Sequence, residues 1–226
     1  MIEITNLSKK FGSLQALDNV SMAIAKGKIV GVVGENGSGK TTLFRCIAGL
    51  ENFEGKITSE INPLKNHLGF LPTEPYFFSK ITGREYIRLL CNARGKEAVD
   101  IDEKNIFDLP LDNYVSTYSS GMKKKLAFVA ILFQENRCLI LDEPFNGIDI
   151  QSNFMVSEII SRLKSLEKTI IIASHIFSPL SELCDEIHLL HQGKLVKSYN
   201  KNQFTELENT MKTFSIQNKI DRLDLR

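Results

Sequence analysis

Three short stretches contain residue types that could do chemistry together: "GENGSGKTT" (34–42), "LDEP" (141–144) and "ASH" (173–175). The first satisfies the spacing G-x-x-x-x-G-K-[ST]. Gly34 and Glu35 open it, and its glycines let the backbone N–H groups of Asn36, Gly37, Ser38, Gly39, Lys40 and Thr41 curl around phosphate oxygens. Lys40 would then reach β and γ phosphates, the Thr41 hydroxyl would ligate Mg2+, and Thr42 would touch the α phosphate. The second stretch sets two carboxylates side by side with different tasks. Asp142 is placed to hold Mg2+ through water, and Glu143 to polarise the water that attacks the γ phosphorus. His175, ending the third stretch, could contact the γ phosphate or hold the attacking water in line. His67, His188 and His191 read as hydrogen-bonded structural residues.

These residues need elements that bring them to one place. Each follows a short run rich in Val, Ile or Leu without alternation: "KIVGVVG" (28–34), "CLILDEP" (138–144) and "TIIIASH" (169–175). Runs of this kind fit strands covered on both faces, as in a parallel sheet. Ligands of open α/β sheets sit just beyond the carboxyl ends of the strands, so three such endings can converge on one crevice. The pattern "TLFRCIAGL" after the glycine-rich loop reads as the helix that follows it. The fold class is therefore α/β, built on a P-loop nucleoside triphosphatase core.

A further stretch, "YSSGMKKKLAF" (118–128), leads two serines and a glycine into a helical apolar pattern, with three lysines near its start. The positive end of a helix dipole repels lysines, so the pattern predicts an anion there. Ser119 or Ser120 can cap the helix or donate to phosphate, and Gly121 allows close backbone approach. Met122, Leu126, Val129 and Phe133 recur at helical spacing and would anchor the helix to the core.

The bulk composition excludes several classes. The 226 residues are 42% hydrophobic, enough for one domain with a substantial core. With 28 basic and 27 acidic residues the net charge is +1, so no global field draws the chain to nucleic acid or lipid. No apolar run approaches the roughly 20 residues that span a bilayer, and the N-terminus does not read as a signal peptide. Cys46, Cys91, Cys138 and Cys184 lie far apart and form no metal or disulfide framework. Residues 91–108 are polar and read as a surface connection, and residues from about 200 to 226 read as a polar tail.

Taken in order, the motifs resemble the ATP-binding subunit of an ABC transporter, from Ile2 to about Val196. The order is "KKFGSLQALDNVSM", the P-loop, "LGFLPTEPYFF", the signature-like "YSSGM", "LILDEP", "NGID" and "ASH". The resemblance implies a single ATP-binding domain over residues 1–226. It would have a mainly parallel sheet, an N-terminal antiparallel β region and a small helical subdomain inserted at about 75–135. It implies that Phe11 stacks on adenine, that the P-loop and Asp142 hold MgATP, and that Glu143 is the catalytic carboxylate. It further implies that Asp149 belongs to a loop crossing a dimer interface and that His175 is the switch histidine. In this family two domains pair head to tail, and the signature helix of one caps the γ phosphate held by the other. Ser119, Ser120 and Gly121 would thus serve a partner's nucleotide, and one chain alone would be a poor ATPase.

The sequence departs from the family pattern in two places. Tyr118, Ser120 and Met122 replace three of the five signature residues, and Thr73 followed by Glu74 stands where a glutamine usually contacts Mg2+. "PYFF" (75–78) is a candidate contact for a membrane partner. "NKID" (218–221) matches a guanine-recognition element, but the polar tail around it and the absence of a D-x-x-G switch make the match coincidental. The expected function is an ATP-hydrolysing subunit, homodimeric or heterodimeric. It would power a separate transmembrane permease from the cytoplasmic face of the cell membrane, with no transmembrane segment of its own. The signature variant and short helical region resemble exporter-type relatives. The alternative, a soluble ABC-type ATPase acting on nucleic acid or ribosomes, would call for a second such domain, a coiled-coil insertion or a basic surface; nucleic acid is not an expected partner.

Overall fold

In a computed structural model, the described residues are 1–215. The "NKID" match lies outside them. In chain order the elements are β1 (Ile2–Phe11), β2 (Leu14–Ile24), β3 (Ile29–Val33), α1 (Lys40–Ile47), β4 (Glu54–Ser59), β5 (Leu68–Leu71) and α2 (Gly83–Asn92). There follow α3 (Ser120–Phe133), β6 (Cys138–Asp142), α4 (Ile150–Ser165), β7 (Thr169–Ser174), α5 (Phe177–Leu183), β8 (Glu186–His191), β9 (Lys194–Asn200) and α6 (Phe204–Ser215).

The three unalternated runs are β3, β6 and β7, and every residue in them is buried. They lie together in a six-stranded sheet of order β5-β6-β7-β3-β8-β9. All neighbours are parallel except the β8–β9 hairpin. The period-two alternation of β3 divides the core. Val30 and Val32 face α1 and the apolar side of a second, antiparallel sheet of order β2-β1-β4, while Ile29 and Val33 face the layer holding α3, α4 and α5. Because β6, β7 and β3 are adjacent and parallel, their carboxyl ends come out side by side.

Between β5 and α3 the chain adds α2 and a long irregular segment. Thr82 caps α2 by accepting from the Glu85 N–H, and Glu85 reaches back to the Thr82 N–H, a closed capping box. Ile81, Tyr86, Ile87 and Cys91 are buried, whereas Leu89 is exposed. Arg84 holds the irregular segment by pairing at 2.8 Å with both Asp102 and Asp112. The stretch read as a polar tail from about residue 200 begins as a packed helix. Phe204 and Leu207, one turn apart on α6, are buried in the same core as the sheet, and the Phe204 ring meets Phe177 edge-on.

All four cysteines are free and buried. His188 is also buried: its Nδ1 lies 2.7 Å from the Ser198 hydroxyl, and burial pushes its pKa from 6.5 down to about 4. The unfolded chain binds a proton there below pH 6.5 and the folded chain does not. Stability is therefore full above that pH and falls as pH drops toward 4, by up to about 3 kcal/mol from this residue. Urea unfolding at pH 7.5 and pH 4.5 should show the loss, and His188→Gln should remove most of the difference between the two. An unchanged difference would assign the acid sensitivity to other groups.

Candidate functional site

The site begins where β3 ends. Gly34 is glycine for want of room: a Cβ there would lie 2.2 Å from the Leu190 carbonyl and 2.5 Å from the Ser38 hydroxyl. Gly39, at φ +106°, would put a Cβ 2.6 Å from the Ala16 carbonyl. Gly39 is also the N-cap of α1, so no side chain occupies the helix's first N–H groups, and no acidic residue stands in its first turn. Both features leave the positive end of α1 open to an anion. The Lys40 ammonium donates to the Gly34 carbonyl at 2.8 Å and the Glu35 carbonyl at 3.1 Å. Burial holds its pKa below the usual lysine value, with Glu143 and then Asp142 opposing the shift only in part.

Asp142 ends β6, fully buried. Its Oδ2 accepts from the Thr41 hydroxyl at 2.7 Å and the Thr73 hydroxyl at 2.8 Å, while Oδ1 has no hydrogen-bond partner among the described residues. A buried carboxylate oxygen without a partner is costly unless a cation meets it. Carboxylate and hydroxyl oxygens suit a hard divalent ion, and among the described residues no cluster of three or more His, Cys, Asp or Glu could hold one alone. The arrangement fits an ion that arrives with phosphate oxygens. Thr73, rather than the exposed Glu74, is the residue that reaches this centre.

Glu143 follows at φ +54°, uncommon for a residue with a side chain. Its N–H donates to the Ala173 carbonyl of β7 at 2.9 Å, and its Oε2 lies 2.9 Å from His175 Nδ1. Glu143, His175, Thr73 and Asn146 line one cleft of about 480 Å3 together with Asn36, Gly37, Gly39, Lys40, Thr41 and Thr42. Phe11, Leu14, Gln15 and Ala16 form its outer wall. Phe11 is partly exposed, with the Lys9 ammonium 4.7 Å from its ring centroid. Gly34, Glu35 and Ser38 shape the loop from behind without lining the cleft.

Ser119, Ser120, Gly121 and Asp149 lie outside this cleft. Ser119 is the N-cap of α3, its hydroxyl accepting from the Met122 N–H at 3.2 Å, and Ser120 is exposed beside it. A Cβ on Gly121 would stand 2.7 Å from the Gly147 carbonyl, so the glycine lets α3 touch the loop before α4. Tyr118 is buried and its hydroxyl donates to the Pro110 carbonyl at 2.6 Å, an anchor that leucine could not supply. The Asp149 carboxylate caps α4: it accepts from the Ser152 N–H at 2.8 Å and takes bonds from the Ser152 hydroxyl and Lys125. Those contacts hold its carboxyl well below the usual range.

The lysines after the signature correct an expectation. Lys124 is not turned toward an external anion: it is buried and donates to the Glu143 carbonyl at 2.8 Å. Lys125 reaches Asp149 at 3.0 Å and the Ser152 hydroxyl at 3.1 Å. Two of the three lysines thus satisfy groups of their own chain. Helical spacing carried the signal, since position 124 shares a face with Phe128 and Ile131, both buried.

A parallel α/β sheet with this loop at one strand end and an Asp-Glu pair at a neighbouring strand end, joined to a small antiparallel sheet, defines a P-loop nucleoside triphosphatase. A family model described as ABC transporter matches residues 17–146, and the chain belongs to that family. It is 33% identical over 216 residues to the bacitracin transport ATP-binding protein BcrA of Enterococcus faecalis, covering 88% of this chain and 69% of BcrA. To the ABC transporter ATP-binding protein NatA of Bacillus subtilis it is 32% identical over 217 residues, covering 87% and 88%. Among solved structures it is similar to the dimeric ATP-binding cassette MJ0796, bound to ADP and Pi in a post-hydrolysis state. The TM-score is 0.79 at 19% identity, over 89% of this chain and 99% of that one, a likeness of fold. The chain is an ATP-binding, ATP-hydrolysing subunit of an ABC transporter.

Proposed function

We propose that this chain pairs head to tail with a copy of itself or a similar subunit, and that ATP-driven closure of the pair moves a separate transmembrane permease. The observation that carries the reading is the N-terminus of α3. Ser119 and Ser120 are exposed there, beside the N–H groups of a fourteen-residue helix, yet this end lies outside the cleft of its own chain. A helix end of this kind suits an anion. In a head-to-tail pair the anion is the γ phosphate held by the other chain's P-loop. On this reading the chain is one ATP-binding domain, its helical subdomain spans about 75–135, and it works peripherally at the cytoplasmic membrane face. Among the described residues no helix is long and apolar enough to cross a membrane.

The assigned chemistry follows from the cleft. Thr41 and Asp142 would hold Mg2+, which when bound offsets charge on the β and γ phosphates. Lys40 exchanges its loop carbonyls for phosphate oxygens, and the α1 N-terminus receives the rest of the phosphate charge. Glu143 accepts a proton from the attacking water, and His175, hydrogen-bonded to it, fixes its carboxylate and can donate to the γ phosphate. Phe11 offers a ring face to the adenine at the outer wall.

The permease contact is assigned to the loop after Thr73. Tyr76 and Phe78 are 76% and 57% exposed and meet edge-on at 5.7 Å, while Phe77 between them packs inward on Tyr86. Exposed paired aromatics beside the catalytic centre suit a partner surface that senses the nucleotide. A tagged chain should copurify an integral membrane protein from detergent-solubilised membranes. Changing both Tyr76→Glu and Phe78→Glu should cut that recovery by about 30-fold, the factor for roughly 2 kcal/mol lost at one hot-spot aromatic, while ATP turnover of the free subunit persists. Equal recovery with and without the changes would move the contact elsewhere.

A further inference from the structure

We infer that Lys124 is a positioning residue for Glu143, holding the main chain of the catalytic carboxylate from the signature helix. The inference rests on Glu143 being the catalytic base, as proposed above. Lys124 is 6% exposed, and the contact its ammonium makes is with the Glu143 carbonyl, at 2.8 Å. Methionine or leucine would fill the same space without burying a charge, so packing does not account for a lysine. What the ammonium adds is a charge-assisted bond to one peptide group.

That peptide group is the one that needs holding. Glu143 sits at φ +54°, where a side chain is strained and the turn persists only if its surroundings enforce it. Three contacts do so. The Glu143 N–H is fixed on β7 through the Ala173 carbonyl at 2.9 Å, and its C=O accepts from the Asn146 N–H at 3.2 Å and from Lys124. The Lys124 bond is the only one of the three made by a side chain, and it comes from another element. Without it the turn can relax toward the ordinary right-handed region and carry the carboxylate off the line of attack.

The same helix grips the following loop at two more points. Gly121 lets it touch the Gly147 carbonyl, and Lys125 bonds Asp149 and Ser152. The first two turns of α3 and residues 143–152 therefore move as one piece. The carboxylate of one composite site is thereby joined to the helix end that serves the other.

Mixed pairs separate this role from a role in presenting the signature. A Ser119→Arg chain paired with a Lys40→Ala chain leaves one working site, with its P-loop and Glu143 on the Ser119→Arg chain. Adding Lys124→Met to that chain should lower kcat by about 10- to 100-fold with KM for ATP within about twofold. Lys124→Gln, which keeps a donor, should recover much of the loss. On the Lys40→Ala chain, whose Glu143 serves no working site, the same change should cost less than about threefold. A loss that follows the Lys40→Ala chain instead would overturn the inference and assign Lys124 to signature presentation. If the parent mixture itself lacks activity, the head-to-tail reading fails, and the test passes to the unmixed chain. There Lys124→Met should lower single-turnover hydrolysis in the native background and add nothing in a Glu143→Gln background; additive losses would refute it. Nucleotide affinity and thermal unfolding of each variant identify a chain that has failed to fold.

Discussion

Glu143→Gln should bind MgATP as tightly as the native chain, pair on binding it, and lose steady-state turnover by at least about 10²-fold, the contribution of a positioned general base. The geometry separates these effects. Glutamine keeps the shape and the hydrogen-bonding reach of the side chain, and the backbone turn that places it is fixed by Ala173, Asn146 and Lys124 rather than by its carboxylate. The groups proposed to hold phosphate, Lys40, Thr41 and the α1 N-terminus, come from a different strand end. What glutamine cannot do is take the proton of the attacking water. Removing the negative charge also lowers repulsion between the buried Glu143–Asp142 neighbourhood and the γ phosphate, so the closed pair should live longer than in the native chain. Light scattering with MgATP reads the pairing and phosphate release reads the turnover. Turnover within tenfold of native would shift the base to His175, whose Nδ1 is 2.9 Å away.

Much of this site is legible in sequence because its elements are buried on both faces. β3, β6 and β7 appear as unbroken apolar runs, and each stops abruptly at the residue that begins the chemistry. The glycine-rich loop is legible for a steric reason: at Gly34 and Gly39 nothing larger fits. Other parts depend on which strands pair. Thr73 and Glu74 are adjacent polar residues that sequence cannot rank. The register of β5 on β6, which sets Leu71 beside Leu141, carries the next residues past Asp142 and turns Thr73 to it. Lys124 misleads for the opposite reason, since its charge at a helix start points to an external anion while its helical position assigns it to the core. The start of α6 is hidden by composition. Phe204 and Leu207, one turn apart, are buried and Met211 packs against the same core, in a stretch that is largely polar.

Neither Lys40→Ala nor Ser119→Arg should hydrolyse ATP on its own, whereas an equimolar mixture should regain up to about a quarter of native activity per chain on random pairing, if the two composite sites fire independently. The two substitutions damage different places on the molecule. Lys40 lines the cleft with its ammonium on the loop carbonyls of Gly34 and Glu35, the charge proposed to meet the phosphates, and alanine leaves the loop without it. Ser119 lies at the exposed end of α3, where its hydroxyl caps the helix. Arginine there loses the cap, worth about 1 kcal/mol, and puts a bulky side chain where, in the proposed pair, a second chain's phosphate would approach. In a homomeric pair of either variant both sites carry a defect. In a mixed pair the two defects fall together on one site, and the other combines an intact P-loop with an intact helix end. A single-chain site would give no such recovery, because each chain would carry its own lesion wherever it paired. Activity against mixing ratio should therefore peak near equal amounts and vanish at both ends. A line that stays flat across the titration would mean that Ser119 acts within its own chain, and that the exposed N-terminus of α3 serves something other than a partner's nucleotide.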